Sequence, residues 1–168
     1  HKWLCGPAGI GFLAIRPEMA TEITPLIHGA STYGQIGEPA KDVLEAHNDA
    51  SRFEAGCPPL NNASALAAVT RELEKIGLSQ INQEAVRLAD QLTTGLKELG
   101  FEVLRKPRAP SPITTFRMTH TTLNIDEVKQ RLASKKIGFT PRGGGLRLAP
   151  HAFNTDAEID LTLNTLKK

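Results

Sequence analysis

The chain has 168 residues, 40% hydrophobic and 23% charged, with a formal net charge of +2. That length suffices for one domain or parts of two with a buried core, and so small a net charge gives little reason to expect a nucleic-acid partner. No run of eighteen apolar residues could cross a membrane, two cysteines make no disulfide framework, and no Cys or His spacing points to a metal site such as zinc.

The chain opens on His1-Lys2, followed by a glycine-bearing turn, Gly6-Pro7-Ala8-Gly9-Ile10-Gly11, and the apolar run Phe12-Leu13-Ala14-Ile15. The expectation is a lysine on a loop, a tight turn and a short buried strand over residues 10–15. Gly6, Gly9 and Gly11 do not fit the dinucleotide fingerprint, whose glycines follow a strand rather than precede one. Residues 17–60 are broken by Pro17, Pro25, Pro39, Pro58 and Pro59 and read as ordered but irregular, with one helix around Pro39–Asn48.

Leu66, Val69, Leu73 and Ile76 recur at helical spacing and predict a helix over 62–76, stopped by Gly77. A longer helix follows over 79–99, striped by Ile81, Ala85, Leu88, Leu92, Leu96 and Leu99. After Gly100 the pattern changes. Strands are expected at 101–104, 113–118 and 146–149, with a proline-marked turn over 107–112. A helix over 125–136 takes Asn124 as its N-cap. Thr155-Asp156-Ala157-Glu158 is a capping box that starts a last helix carrying Ile159, Leu161, Leu163 and Leu166. Strand, strand, helix, strand, helix make a small α+β unit.

Three segments carry more than periodicity. The first is the His1-Lys2 start. The second is Arg52-Phe53-Glu54-Ala55-Gly56-Cys57-Pro58. The third is Leu146-Arg147-Leu148-Ala149-Pro150-His151-Ala152-Phe153-Asn154-Thr155. In that order they resemble the class V aminotransferase family of pyridoxal-phosphate enzymes, which includes cysteine desulfurases, selenocysteine lyases and isopenicillin N epimerase-like proteins. The resemblance implies an α/β fold of fold type I. Residues 1–78 would be the C-terminal part of the large cofactor-binding domain, 79–99 a connecting helix, and 100–168 a small C-terminal α+β domain. It also implies that the chain opens in the middle of an enzyme: a fragment, a processed product or a chain whose beginning is not represented.

The same resemblance assigns roles. Lys2 would bind pyridoxal 5′-phosphate through its ε-amine and shuttle the substrate α-proton. His1 and Cys57 would be cofactor contacts, Cys57 standing where the family commonly has a threonine. A planar guanidinium clamps a carboxylate with two parallel hydrogen bonds, and the resemblance puts that role toward the amino-acid substrate on Arg147, with Arg142, before Gly143-Gly144-Gly145, as a second candidate. Cysteine desulfurases carry a nucleophilic cysteine on the loop before that arginine. Here the loop, Gly138–Gly145, has none. The expectation is therefore lyase, epimerase or aminotransferase chemistry on an amino acid, by a cytoplasmic homodimer, with this portion inactive alone. The alternatives are a non-catalytic α+β binding or dimerisation module, and an anion or nucleic-acid binder using the Arg105–Arg108 and Lys135–Arg142 basics.

Overall fold

A computed structural model describes residues 1–33, 45–106, 110–119 and 123–167. The chain divides into two compact units, His1–Glu72 and Leu73–Lys168.

The first unit has little regular structure. It holds a short helix α1 (Pro17–Ala20), a 3₁₀ turn at Ala50–Phe53, and most of helix α2 (Leu60–Ile76). Proline at the start of α1 sits where the backbone has no helical partner to offer its N–H. Asp49 caps the 3₁₀ turn by accepting from the Ser51 N–H at 2.9 Å. Thr32 is fully buried, its hydroxyl accepting from the Gly29 N–H at 3.1 Å. Tyr33 bridges Ala46 in an isolated antiparallel contact. The helix expected around Pro39–Asn48 falls mostly outside the described residues, and its described end, 45–48, is not helical.

The strand expected at residues 10–15 is not formed. Phe12 is 75% and Leu13 63% exposed. The physical reason is pairing: an extended segment becomes a strand only beside another, and no described strand pairs with this one.

The second unit contains the remaining elements. Helix α3 (Leu78–Glu98) leads to strands β1 (Glu102–Val103) and β2 (Thr114–Arg117), helix α4 (Ile125–Ser134), strands β3 (Thr140–Arg142) and β4 (Gly145–Leu148), and helix α5 (Asp156–Leu166). The sheet is antiparallel throughout, in the order β1-β2-β4-β3. The segment Gly138–Gly145, read from sequence as a loop, is largely a hairpin: β3 turns through Gly143-Gly144 into β4. Asn124 caps α4 by accepting from the Glu127 N–H at 2.8 Å. The Thr155–Glu158 capping box starts α5 with both reciprocal bonds in place.

The core lies on one face of the sheet. Leu88, Leu92 and Leu96 of α3, Val128 and Leu132 of α4, and Ile159 and Leu166 of α5 close over Phe116, Leu146 and Leu148. Phe101 meets Phe116 edge to face at 5.1 Å, the arrangement ring quadrupoles favour. On α5 the buried positions are Ile159, Thr162 and Leu166. Leu161, expected in the apolar stripe, is exposed because the helical period turns it away. At the rim Arg105, its side chain 3% exposed, pairs with Asp90 of α3 and donates to the Ser111 carbonyl at 3.0 Å.

Arg87 of α3 donates to Glu84 at 2.7 and 2.8 Å and to Asp156 of α5 at 2.8 and 3.0 Å. Its guanidinium holds both carboxyls below their ordinary values. A carboxyl lowered in the folded state stabilises the fold fully above the ordinary carboxylate range and loses that contribution as pH falls through the lowered value. The thermal midpoint should therefore drop as pH is taken from about 5 to about 2, and the drop should be smaller in Arg87→Met. Leu92, 1% exposed, faces the centre of the core. Leu92→Ala should cost about 2–5 kcal/mol, measured as the shift in a urea unfolding midpoint with the slope unchanged.

Candidate active site

In the first unit, Lys2 and His1 stand exposed at the head of a pinned loop. The Cys5 N–H donates to the Lys2 carbonyl at 2.9 Å, closing a turn, and Cys5 takes a left-handed φ of 54°. Two contacts fasten residues 6–8 to α2. Asn62 donates from its side-chain amide to the Ala8 carbonyl at 3.0 Å. Gly6 lies so close to Leu66 that a Cβ there would stand 2.7 Å from a side-chain methyl, so any larger residue would make the Leu66 side chain shift. The loop is thus held just past its turn, while the Lys2 ammonium has no hydrogen-bond or ion-pair partner among the described residues.

Cys57 is an exposed free thiol on the loop after the 3₁₀ turn. Nearby in sequence, Arg52 is half-buried, and its Nε is buried without a hydrogen-bond acceptor. The sequence assigns Arg52 no role of its own. Its signal is this orphaned donor, which only the folded structure displays.

In the second unit, Arg147 sits on β4, between Leu146 and Leu148, which point into the core. Alternation therefore turns Arg147 to the opposite face of the sheet. The register pairs Thr140 with Arg147 and Arg142 with Gly145 on one side, and Thr115 with Arg147 on the other. Thr115, Arg117, Arg142 and Arg147 consequently share the face away from the helices. Arg147 is half-buried and Arg142 exposed. Among the described residues neither guanidinium has a hydrogen-bond or ion-pair partner.

Arg117 is engaged. Its Nε donates to the Gly143 carbonyl at 2.7 Å, and its guanidinium lies 3.8 Å from Glu102. Glu102 also accepts the Thr119 hydroxyl at 2.6 Å. This ties the hairpin tip to β1 and β2. Gly143 and Gly144 take φ of 60° and 74°, the pattern of a two-residue hairpin turn that L side chains resist.

His151 and Asn154 have structural contacts. His151 stacks on Phe153 at 4.6 Å, and its backbone N–H donates to the Asn154 side-chain oxygen at 2.9 Å. Asn154 in turn donates to Glu158 at 3.3 Å. The Thr155 N–H, followed by the Asn154 amide, holds the Glu158 carboxyl below its ordinary value.

Each unit thus offers cationic donors without an internal acceptor: a primary amine and a buried arginine Nε in the first, two guanidinia in the second. In each unit such donors fit anionic groups, a phosphate or carboxylates among them, and in the first the amine adds a nucleophile that can condense with an aldehyde. Among the described residues no cluster of His, Cys, Asp and Glu could hold a metal ion, and no helix is long and apolar enough to cross a membrane.

Residues 1–152 match the family model for aminotransferase class V; the chain belongs to that family. It is 26% identical over its whole length to a probable cysteine desulfurase of Methanothermobacter thermautotrophicus, of which it covers 45%. Among solved structures it is similar to the apo cysteine desulfurase of Thermococcus onnurineus NA1, with a TM-score of 0.82 and 27% identity over 99% of this chain and 44% of that one. A cystine C–S lyase in complex with its product cysteine persulfide gives a TM-score of 0.80 and 26% identity over the same shares. The fold is α/β, of fold type I, and the chain spans a little under half the length of these relatives.

Gly145 bears most directly on the site's shape: a Cβ there would stand 2.0 Å from the Phe116 carbonyl oxygen. Because the obstacle is backbone, Gly145→Ala should force β4 from β2 and cost about 1–3 kcal/mol, read by chemical denaturation.

Proposed function

We propose that this chain is the C-terminal portion of a pyridoxal-phosphate-dependent enzyme that acts on an amino acid. Residues 1–78 are the end of the large domain, 79–99 the connecting helix, and 100–168 the small domain. The observation that carries the proposal is the pairing of family membership over residues 1–152 with reactive groups left without internal partners at Lys2 and Arg147.

Lys2 holds the cofactor through its ε-amine, with His1, Cys57 and the pinned loop supporting it. Bound pyridoxal phosphate supplies an electron sink for charge developing at the substrate α-carbon. Arg147 grips the substrate α-carboxylate and so fixes how the Cα–H bond is presented. Lys2, whose ε-amine would hold the cofactor, would also be the group that moves the α-proton. That proton transfer is common to elimination, epimerisation and transamination. Usual desulfurase chemistry needs a cysteine thiolate on the β3–β4 segment, and the segment carries none. The working form is a homodimer in the cytoplasm, and the portion described is inactive by itself.

The test uses the native-length protein. Pyridoxal phosphate is added, the mixture is reduced with borohydride, and the digest is mapped by mass spectrometry. The expected result is a pyridoxyl adduct on Lys2, abolished in Lys2→Ala. No adduct on Lys2 in folded, dimeric protein would transfer the assignment to a non-catalytic binding or dimerisation module. In the loaded enzyme, Arg147→Ala should weaken binding of amino acids by about 10–100-fold while leaving the adduct in place.

A further inference from the structure

Among the described residues, the face of the sheet away from the helices carries three arginines and one carboxylate. Strand alternation and the two registers put Arg117, Arg142 and Arg147 there together with Glu102, which pairs with Arg117 across β1 and β2. Glu102 is consumed locally by Arg117 and the Thr119 hydroxyl. Arg117 is further occupied by the Gly143 carbonyl. Arg142 and Arg147 are left with no acceptor among the described residues.

One α-carboxylate does not account for two such groups. A bidentate carboxylate occupies one guanidinium and leaves the other to solvent, free to take a second carboxylate. Positions diagonal across an antiparallel pair lie about 7–8 Å apart. Gly145, opposite Arg142 on that face, contributes no side chain, and the Arg117 side chain passes over it, its Cγ 3.0 Å from where a Cβ would stand. Long arginine side chains starting from that spacing can close on the two ends of one short dicarboxylate. The hairpin is also fastened: the two-glycine turn and the Arg117 bond to Gly143 limit how far Arg142 can swing away.

We infer that Arg142 is a specificity residue, recognising a second carboxylate on the side chain of the amino-acid substrate. The inference rests on the proposed function, with Arg147 at the α-carboxylate, and adds to it a substrate class: acidic amino acids with a short side chain. The Arg142 side chain is exposed and takes no part in the hydrogen bonding of the fold, so its substitution reports on ligand recognition rather than on folding.

The test titrates amino acids into the native-length protein loaded with pyridoxal phosphate. It reads the absorption change of the bound cofactor and, independently, the heat of binding. Aspartate, glutamate and 2-aminoadipate sample the reach of the second carboxylate; alanine and 2-aminobutyrate are the neutral references. At least one acidic ligand should bind ten or more times tighter than alanine. Arg142→Gln should weaken that ligand by about 10–100-fold and leave alanine within twofold; Arg142→Lys should fall between. Equal binding of acidic and neutral ligands, or an equal loss of both in Arg142→Gln, would overturn the inference. With the Lys2 adduct present, that result removes the substrate class alone. With neither adduct nor ligand binding, the proposed function falls as well.

Discussion

The C-terminal unit depends on one buried seam, the face of α3 formed by Ile81, Ala85, Leu88, Ala89, Leu92 and Leu96. The sheet and α5 both pack against it. With one side of the sheet committed to this seam, alternation decides every other side chain on the strands. Leu146 and Leu148 go in, so Arg147 must face out; Phe116 goes in, so Thr115 and Arg117 face out. A slip of one residue in β4 would bury a guanidinium and expose two leucines, a change that burial energies forbid. The placement of the proposed substrate arginine is in this sense a consequence of the core.

The N-terminal unit is organised differently. Its buried groups are small or polar, Ala20 and Thr32 foremost, and short-range hydrogen bonds hold its turns. Tyr33 and His28 bond at 2.7 Å and stack. The lysine loop obeys the same logic. Gly6 and Ala8 are secured on α2, and the two residues at its head remain open. In the proposed function Lys2 would hold the cofactor and move a proton, a role that calls for a fixed base and a free end.

Much of the C-terminal unit was legible in the sequence because its signals are local. The stripe from Ile81 to Leu96, the Asn124 cap and the Thr155–Glu158 box each specify an element within a few residues. Where structure depends on distant partners the sequence misled. Ile10–Ile15 has strand composition, yet no described strand pairs with it. Thr140-Pro141-Arg142 has neither alternation nor β-rich composition, and it is a strand because β4 offers the ladder. The Gly143-Gly144 pair is a hairpin signal in its own right, and reading it would have set Arg142 beside Arg147. Lys2 and Arg147 themselves stood out through the order of three segments, since no periodicity marks a lone lysine or a lone strand arginine as reactive.

The hairpin also bears on which chemistry the site can support. Its two turn residues both occupy left-handed backbone, at φ of 60° and 74°, where a side chain costs roughly 1–2 kcal/mol per residue. The residue after them has no room for a Cβ. A cysteine at any of these three positions would meet either backbone strain or a clash with β2. The proposed reaction without a thiol nucleophile is consistent with this backbone, which disfavours any side chain at positions 143–145. In the proposed enzyme, recognition by two arginines and transfer by a thiolate would compete for the same few residues, and the strain at this turn would favour recognition.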